Sequence, residues 1–430
     1  MTAPGASTAL LTDHYELTML SSALADGSGS RDCVFEVFAR RLPDGRRYGV
    51  VAGTARVLEA IANFRFTDAE LAQLSATAVV DEDTLSWLAG YSFTGDIDGY
   101  REGELYFPGS PVLTVRGPFA EAVVLETLSL SILNHDCAIA SAAARMTYAA
   151  RGRPIIEMGG RRTHEYAAVA AARAAYLAGF ATTSNLEAGR RYGISTRGTV
   201  AHAFMLLHDT EEAAFRAQIA KLGPDTTLLV DTYDITSGIE TAVRVAGRDL
   251  GAIRIDSGDV GVLARQARDQ LDALGARDTR IVVSGDLDEH SIAALRAEPV
   301  DAYGVGTSVV TGSGAPTANM VYKLVEVDGR PVAKRSVQKE SRGGRKTALR
   351  RFKKTGTAIE EVVYPVATPK PERGPYDEIL PIPLVRAGEL VDDLPTLEDG
   401  RQRLRRALVS LPWEGLKLSH GEPAIPTLFP

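Results

Sequence analysis

The 430-residue chain is predicted to be an α/β protein whose larger part is a parallel sheet closed as a barrel. Three observations predict this. Between residues 155 and 326 short apolar runs recur, separated by about twenty to thirty residues of mostly helical spacing, and apolar strands alternating with helices build parallel sheets. No glycine-rich dinucleotide fingerprint follows the first of these strands, which disfavours a doubly wound nucleotide fold. Each run ends in side chains able to do chemistry, and a barrel gathers all its strand ends on one face.

The elements follow in order. "LLTDHYELTML" offers Thr12-Asp13 as a helix cap, with Tyr15, Met19, Leu20 and Leu24 at helical spacing behind it. Residues 31–115 read as short strands and loops with helices between them, and "PVLTVRGPF" is a strand ending at a Gly-Pro border. The apolar stretch "FAEAVVLETLSLSILNHDCAIASAAA" is interrupted by Glu121, Glu126 and Asn134-His135-Asp136, so it reads as a buried helix pair and not a membrane span. Seven strands are then expected at "PIIEMGG", "GFATTSN", "TRGTVAH", "TLLVDTYD", "AIRIDSGD", "RIVVSGD" and "AYGVGTS", with clear helices at "GVLARQARDQLDAL" and "EHSIAALRA". Beyond 330, "KRSVQKESRGGRKTALRRFKK" holds ten basic residues against one acidic, either a solvated loop or an RNA-binding patch. Only Phe352 interleaves it, which weakens the nucleic-acid reading. A Pro-rich tail with "TLEDGRQRLRRALVSLP" suggests a return to the first domain and a closing helix.

Composition bounds the rest. With 24% charged and 45% apolar residues and a net charge of −7, the chain reads as an ordinary soluble protein, with no pull toward nucleic acid or membrane. Cys33 and Cys137 have no metal spacing and are expected to be reduced and buried. No Lys or Arg precedes Arg31, so the charged start of a signal peptide is missing, and a cytoplasmic location is expected.

The strand ends supply the candidate residues: Glu157 and Arg161; Thr183 and Ser184; Thr199 and His202; Asp231; Arg254, Asp256 and Asp259; Ser284 and Asp286; Gly306 and Thr307. Arg254 and Asp256 alternate along "IRIDSGD" and share one side of the strand. They either line a polar cavity or pair with each other at the barrel rim. Asp259 either holds Mg²⁺ or caps the next helix. The backbone of Gly306, Thr307 and Ser308 offers a phosphate cradle, and Arg161 and Arg162 after two glycines suit an anion. His202 follows a Gly198-Thr199 turn, and as one of only seven histidines it is either a satisfied core residue or a working group of this face.

Together "LTDHYELTM", "GGRR", "GFATTSN", "GTVAH", "RIDSGD" and "KRSVQKESRGGRK" resemble the nicotinate phosphoribosyltransferase family, in order and over nearly the whole chain. The resemblance implies a type II phosphoribosyltransferase fold, an irregular α/β barrel with an α/β sandwich built from both chain ends. The expected division is 1–115 for the sandwich, 116–330 for the barrel, and 331–430 for a basic loop and a segment returning to the sandwich. It also implies a homodimer with shared active sites, and ATP-coupled condensation of nicotinate with 5-phosphoribosyl 1-diphosphate in NAD salvage, with Mg²⁺ present. Under it His202 is the histidine that ATP phosphorylates, while Thr199 and Arg254 contact nicotinate and Tyr15 stacks on the pyridine ring across the dimer. Asp256 holds ribose hydroxyls, Gly306 and Thr307 take the 5-phosphate, and Arg161 is the arginine after the glycine turn. Asp231, Ser284 and Asp286 are expected among the substrate-binding groups and Asp259 at the metal.

Lys334, Ser336, Lys339 and Lys346 follow the spacing of the family's basic loop. Ser184 stands where related nicotinamide enzymes carry an aspartate, so a neutral hydroxyl there suits an acid over an amide. Met158 replaces a frequent aromatic, and Ala-Phe follows His202 in place of Ser-aromatic. The alternatives are a nicotinamide or quinolinate phosphoribosyltransferase, or a non-catalytic barrel binding RNA or a nucleotide.

Overall fold

The computed structural model describes residues 6–334 and 342–430, and the chain divides into two units. One combines the chain up to Ser141 with Ala315–Pro430, and the other is Ala142–Gly314. The borders thus fall at 141 and 314, where the sequence suggested 115 and 330. The reason is strand pairing. Asp32–Ala39 lies between Leu113–Pro118 and Met320–Val327, with Val37 opposite both Leu113 and Tyr322.

The first unit is organised by a seven-stranded antiparallel sheet. Strand Asp96–Tyr100 pairs on one side with Leu113–Pro118 and on the other with Pro381–Arg386 from the tail. Asp32–Ala39 is buried after its first residue, so it reads as a continuous apolar run. Its Phe35 stacks on Tyr322, with ring centroids 4.9 Å apart. Helix His14–Ala25 turns Leu17, Leu20 and Ala23 inward and leaves Tyr15 and Met19 exposed, so two members of the expected apolar stripe face outward. The closing helix Leu397–Ser410 starts from a capping box made by Thr396 and Asp399.

The basic tract proves partly structural. Lys346–Phe352 is a strand, and its Arg350 is buried between Glu104 (2.5 Å) and Glu361 (2.8 Å). Lys346 pairs with buried Glu36 at 2.8 Å and donates to the Arg342 and Gly344 carbonyls. These two cations therefore serve the sandwich, and they belong to neither a solvated loop nor an RNA-binding patch. The partner carboxylates lie far away in sequence, which is why charge density alone read as exposure.

The second unit is a parallel sheet of six strands in the order Thr182–Thr183, Ile155–Glu157, Ala302–Val305, Arg280–Val283, Ala252–Ile255 and Thr227–Leu229. Helices Glu165–Leu177, Ile235–Ala246, Val260–Ala273 and Glu289–Ala294 follow strands in the expected alternation. Every strand contributes at least one residue (Thr182, Ile156, Ala302, Val282, Ala252 and Thr227 among them) to a single cavity of about 550 Å³. A flat sheet cannot do that, so the sheet is curled. Its two edge strands are not hydrogen-bonded to each other, and the barrel is irregular and open there.

"TRGTVAH" forms no strand. Thr196 makes one isolated bridge to Thr183, and the chain then runs irregularly to a short helix, His202–Leu206. Residues 195–199 are exposed, so this polar, glycine-containing segment lacks the buried apolar face a strand of this sheet requires. Cys33 and Cys137 are buried free thiols, as expected. The apolar stretch forms helices Phe119–Val123 and Glu126–Ala150, whose Ala140, Ala142, Ala143, Ala144 and Met146 are fully buried, the pattern of a core helix.

Candidate active site

The Ala252–Ile255 strand ends in a connected polar cluster. Arg254 donates from Nε to Ser284 Oγ and from Nη2 to Asp256 Oδ1, both at 2.8 Å. Ser284 Oγ in turn donates to Asp256 Oδ1. On the neighbouring strand end, Asp231 Oδ2 accepts from the Asp256 amide (2.9 Å) and Ser257 Oγ (2.8 Å). The other oxygen, Asp231 Oδ1, is buried with no hydrogen-bond partner among the described residues, and His202 Nε2 lies 3.9 Å from it. Thr232 Oγ1 sits 3.2 Å from His202 Nδ1. The Asp231 side chain is 1% exposed and that of His202 42%, so a fixed buried carboxylate backs a ring that solutes can reach.

Burial alone would raise the Asp256 carboxyl, but hydrogen bonds from Ser284 and Arg254 and the nearby His202 ring outweigh it and hold it below the usual range. Asp256 therefore stays ionised in a partly dry site. The chain passes beneath it through Gly285, at φ +99°, where an added Cβ would lie 2.3 Å from the Asp256 carbonyl oxygen. Asp286 follows at φ +43°, a left-handed conformation uncommon for a non-glycine residue, on an exposed turn.

A second network joins the strand ends on the other side. Glu157 is buried; it accepts from the Gly159 amide and, at 2.5 Å, from Thr183 Oγ1. Its carbonyl takes the Ser184 amide (2.8 Å), and the Thr183 carbonyl takes the Arg197 amide (2.9 Å). Burial pushes the Glu157 carboxyl up. Glu157 and Thr183, noted in the sequence only as strand-end polar groups, thus anchor the turns that carry Arg161, Ser184 and Arg197.

The structure gathers His202, Asp231, Arg254, Asp256 and Ser284 into one cluster. Arg161, Ser184 and Thr199 stay outside it, exposed at neighbouring strand ends, with Thr307 at the start of the short helix Thr307–Val310 behind Gly306. Asp259 accepts from the Val262 amide and caps helix Val260–Ala273, which is its capping reading. Among the described residues no group of three or more His, Cys, Asp or Glu is placed to hold a metal ion. Tyr15 belongs to the first unit; partial burial, then the charges of Glu126 and Glu16, push its hydroxyl up to about 12, and it stays a neutral phenol. Ser336 and Lys339 lie outside the described residues.

The cavity inside the curled sheet reaches this face. Met158, Thr199 and Arg254 line it, together with two residues not singled out in the sequence, Thr182 and Arg197. Thr182 Oγ1 is buried with no partner among the described residues. The lining mixes apolar residues such as Ile156, Met158 and Val282 with polar and charged ones, a space able to take a small polar molecule.

Residues 10–134 match the nicotinate phosphoribosyltransferase N-terminal domain, and residues 139–314 match the quinolinate phosphoribosyl transferase C-terminal domain. A nicotinate phosphoribosyltransferase of Mycobacterium tuberculosis, pncB1, is 67% identical over 97% of this chain and 94% of its own. The nicotinate phosphoribosyltransferase of Bacillus subtilis is 39% identical over 76% of this chain and 69% of its own. The crystal structure of human nicotinic acid phosphoribosyltransferase superposes with a TM-score of 0.85 at 26% identity, covering 98% of this chain and 97% of that one. With identity of this extent running through both units and the strand-end cluster lying in the matched region, the chain belongs to the nicotinate phosphoribosyltransferase family.

Proposed function

We propose that the chain joins nicotinate to 5-phosphoribosyl 1-diphosphate, releasing nicotinate mononucleotide and diphosphate, in the salvage of nicotinate for NAD synthesis. The observation that carries this is the open cluster of Arg254, Asp256, Ser284, Asp231 and His202 beside a cavity of pyridine-ring size or larger. In the reaction the lone pair of the pyridine nitrogen forms a bond to C1 of the ribose, and the C1–O bond breaks with its electrons leaving on diphosphate. The attacking nitrogen carries no proton, so no general base is required. Aligning the two reactants and stabilising the charge that develops on the ribose are what the protein must supply.

In this reading the ionised Asp256 holds the ribose hydroxyls and faces the developing positive charge. Thr199 and Arg254 meet the nicotinate ring, Arg161 takes phosphate, Gly306 and Thr307 take the 5-phosphate, and Ser184 shapes the choice of acid over amide. Ser284 and Asp231 orient the cluster, and Asp286 accepts from sugar hydroxyls from its left-handed turn. His202 accepts a phosphoryl group from ATP: a bond forms between an imidazole nitrogen and phosphorus as the terminal phosphoanhydride bond breaks, and water later removes the group. The nearby Asp231 Oδ1 supports this role, since a carboxylate at 3.9 Å steadies the ring as it gains positive character. Mg²⁺ fits this scheme as the companion of the substrates' phosphates, a cation that takes few protein ligands in such sites. Lys339 and the basic loop, and the partner subunit of a homodimer bringing Tyr15, complete the site. Reduced, buried Cys33 and Cys137 agree with a cytoplasmic enzyme.

The test measures nicotinate mononucleotide from nicotinate with and without ATP, beside nicotinamide and quinolinate as competing acceptors. His202→Ala is expected to retain some transferase activity while losing ATP stimulation and the acid-labile phosphoryl group. A His202→Ala enzyme that still hydrolyses ATP in step with product would remove His202 from this role.

A further inference from the structure

Two neighbouring strands of the second unit, Arg280–Val283 and Ala302–Val305, run parallel and end on the same face. The turn after the first carries Ser284 and Asp286, and the turn after the second carries Gly306 and Thr307. One carboxylate joins these two turns. Glu289, the first residue of helix Glu289–Ala294, is 1% exposed and uses both of its oxygens. Its Oε1 accepts from Arg145 Nε at 3.0 Å, and its Oε2 accepts from Ser313 Oγ. The Arg145 side chain is buried as well, so the pair is shut away from water.

Ser313 in turn closes the segment behind Gly306 and Thr307. Its amide donates to the Ser308 carbonyl at 2.6 Å, while Thr311 donates to the Thr307 carbonyl from its amide and its Oγ1. Gly312, Ser313 and Gly314 lie at φ +64°, +50° and +82°, three successive left-handed residues. Glycine adopts that backbone without strain, whereas a residue with a Cβ keeps it only where its surroundings hold it there. What serine adds at this position is a hydroxyl, and the hydroxyl goes to Glu289.

Resting on the phosphoribosyl reading above, we infer that Glu289, acting through Ser313, is a positioning residue for the phosphoribosyl group. It fixes the spacing between the turn assigned to the sugar hydroxyls and the backbone assigned to the 5-phosphate. A buried carboxylate paired with arginine cannot shift without leaving a charge unpaired away from water, so it makes a stiff brace. The ribose spans the two turns, and its C1 must face the attacking nitrogen. A misplacement of about 1 Å there can cost on the order of a hundredfold in rate.

The experiment uses the full-length enzyme and two variants, with thermal melts setting the folded fraction of each. Ser313→Ala removes only the hydroxyl bond and keeps the Arg145–Glu289 pair; Glu289→Gln also leaves Arg145 buried without its anion. Ser313→Ala is expected to raise KM for 5-phosphoribosyl 1-diphosphate about threefold to tenfold, the worth of one such hydrogen bond, with KM for nicotinate unchanged. Ribose 5-phosphate should weaken as a competitive inhibitor by the same factor. Inorganic diphosphate, which stands for the leaving group and lacks the 5-phosphate, should inhibit as in wild type. Glu289→Gln should show the same split, and larger; where it fails to fold, Ser313→Ala decides alone. Unchanged KM and unchanged ribose 5-phosphate inhibition in Ser313→Ala would overturn the inference. So would a loss spread evenly over nicotinate, diphosphate and ribose 5-phosphate, the mark of a merely structural role. A wild-type enzyme that makes no nicotinate mononucleotide yet binds ribose 5-phosphate by calorimetry would overturn the nicotinate reading alone, and weaker binding in Ser313→Ala would still support the inference. Wild type that binds no ribose 5-phosphate would overturn both.

Discussion

Arg350 in the sandwich and Arg254 in the curled sheet each lie on a strand and pair with carboxylates, yet they do different work. Arg350 is 2% exposed and shut between Glu104 and Glu361, and Tyr100 and Ser110 donate to Glu361 as well. Arg254 and Asp256 are 16% and 26% exposed, and their cluster ends in a buried oxygen on Asp231 with no partner among the described residues and a ring of His202 that solutes can reach. The first network is closed: Arg350 Nε also lacks a partner among the described residues, but the charges are neutralised inside the protein and face no solute. The second is open at a strand end, and its unfilled hydrogen-bonding capacity is available to a ligand. Buried charge by itself signals architecture. Charge with capacity left over, at converging strand ends beside a cavity, signals chemistry.

The largest expected effect breaks the closed network. Arg350→Ala leaves Glu104 and Glu361 buried without their cation, which costs about 3–5 kcal/mol in comparable cases. The variant should melt far below wild type or fail to accumulate as soluble protein, with activity lost in proportion to the folded fraction. A variant with wild-type melting would show that the network is not what holds this sheet.

A smaller effect, on turnover and not on folding, is expected at the open network. Asp256→Ala should lower kcat/KM roughly tenfold to a hundredfold, the worth of about 1.5–3 kcal/mol for a charge-assisted hydrogen bond to bound sugar. Its melting temperature should stay close to that of wild type. A collapse in stability comparable to that of Arg350→Ala would make Arg254–Asp256 a rim pair and erase the distinction.

The smallest effect separates an unsatisfied carboxylate from a working one. Glu211 Oε1 is also buried without a partner among the described residues, but it lies on helix Glu211–Leu222 outside the strand-end cluster. Burial, then the charge of Asp234, pushes Glu211 up to about 7. Its folded value lies above that of the unfolded chain, so its contribution is fully present below about pH 4 and is lost as pH rises through about 7. Glu211→Gln should therefore melt higher than wild type at pH 8, with the difference shrinking as pH falls and vanishing below about pH 4, and kcat unchanged. Parallel melting curves for the two proteins across this range would rule out the titration, and a fall in kcat would bring Glu211 into the active machinery.

Much of the barrel face was legible before any coordinates. Arg254 and Asp256 are two residues apart on one strand, and Ser284 and Asp231 stand at equivalent strand ends, so the parallel topology was enough to bring them together. The strand expected at "TRGTVAH" failed because apolar periodicity cannot separate a bridge from a strand when the flanking residues are polar. Glu157 and Thr183 were visible as polar residues, but their mutual bond depends on two strands placed side by side.

What the sequence by itself determined is local: the alternation of strand and helix, the polar group closing each strand, and the ordered motifs that mark the family. These survive in one dimension because they depend on periodicity and on residues a few positions apart. Tertiary structure alone decided which charges are neutralised. Arg350 finds Glu104 across 246 residues of chain, turning a basic tract into sandwich core, and Arg280 finds Asp225 across 55. Electrostatic energy depends on distance in space and on exclusion of water, and neither quantity is written along the chain.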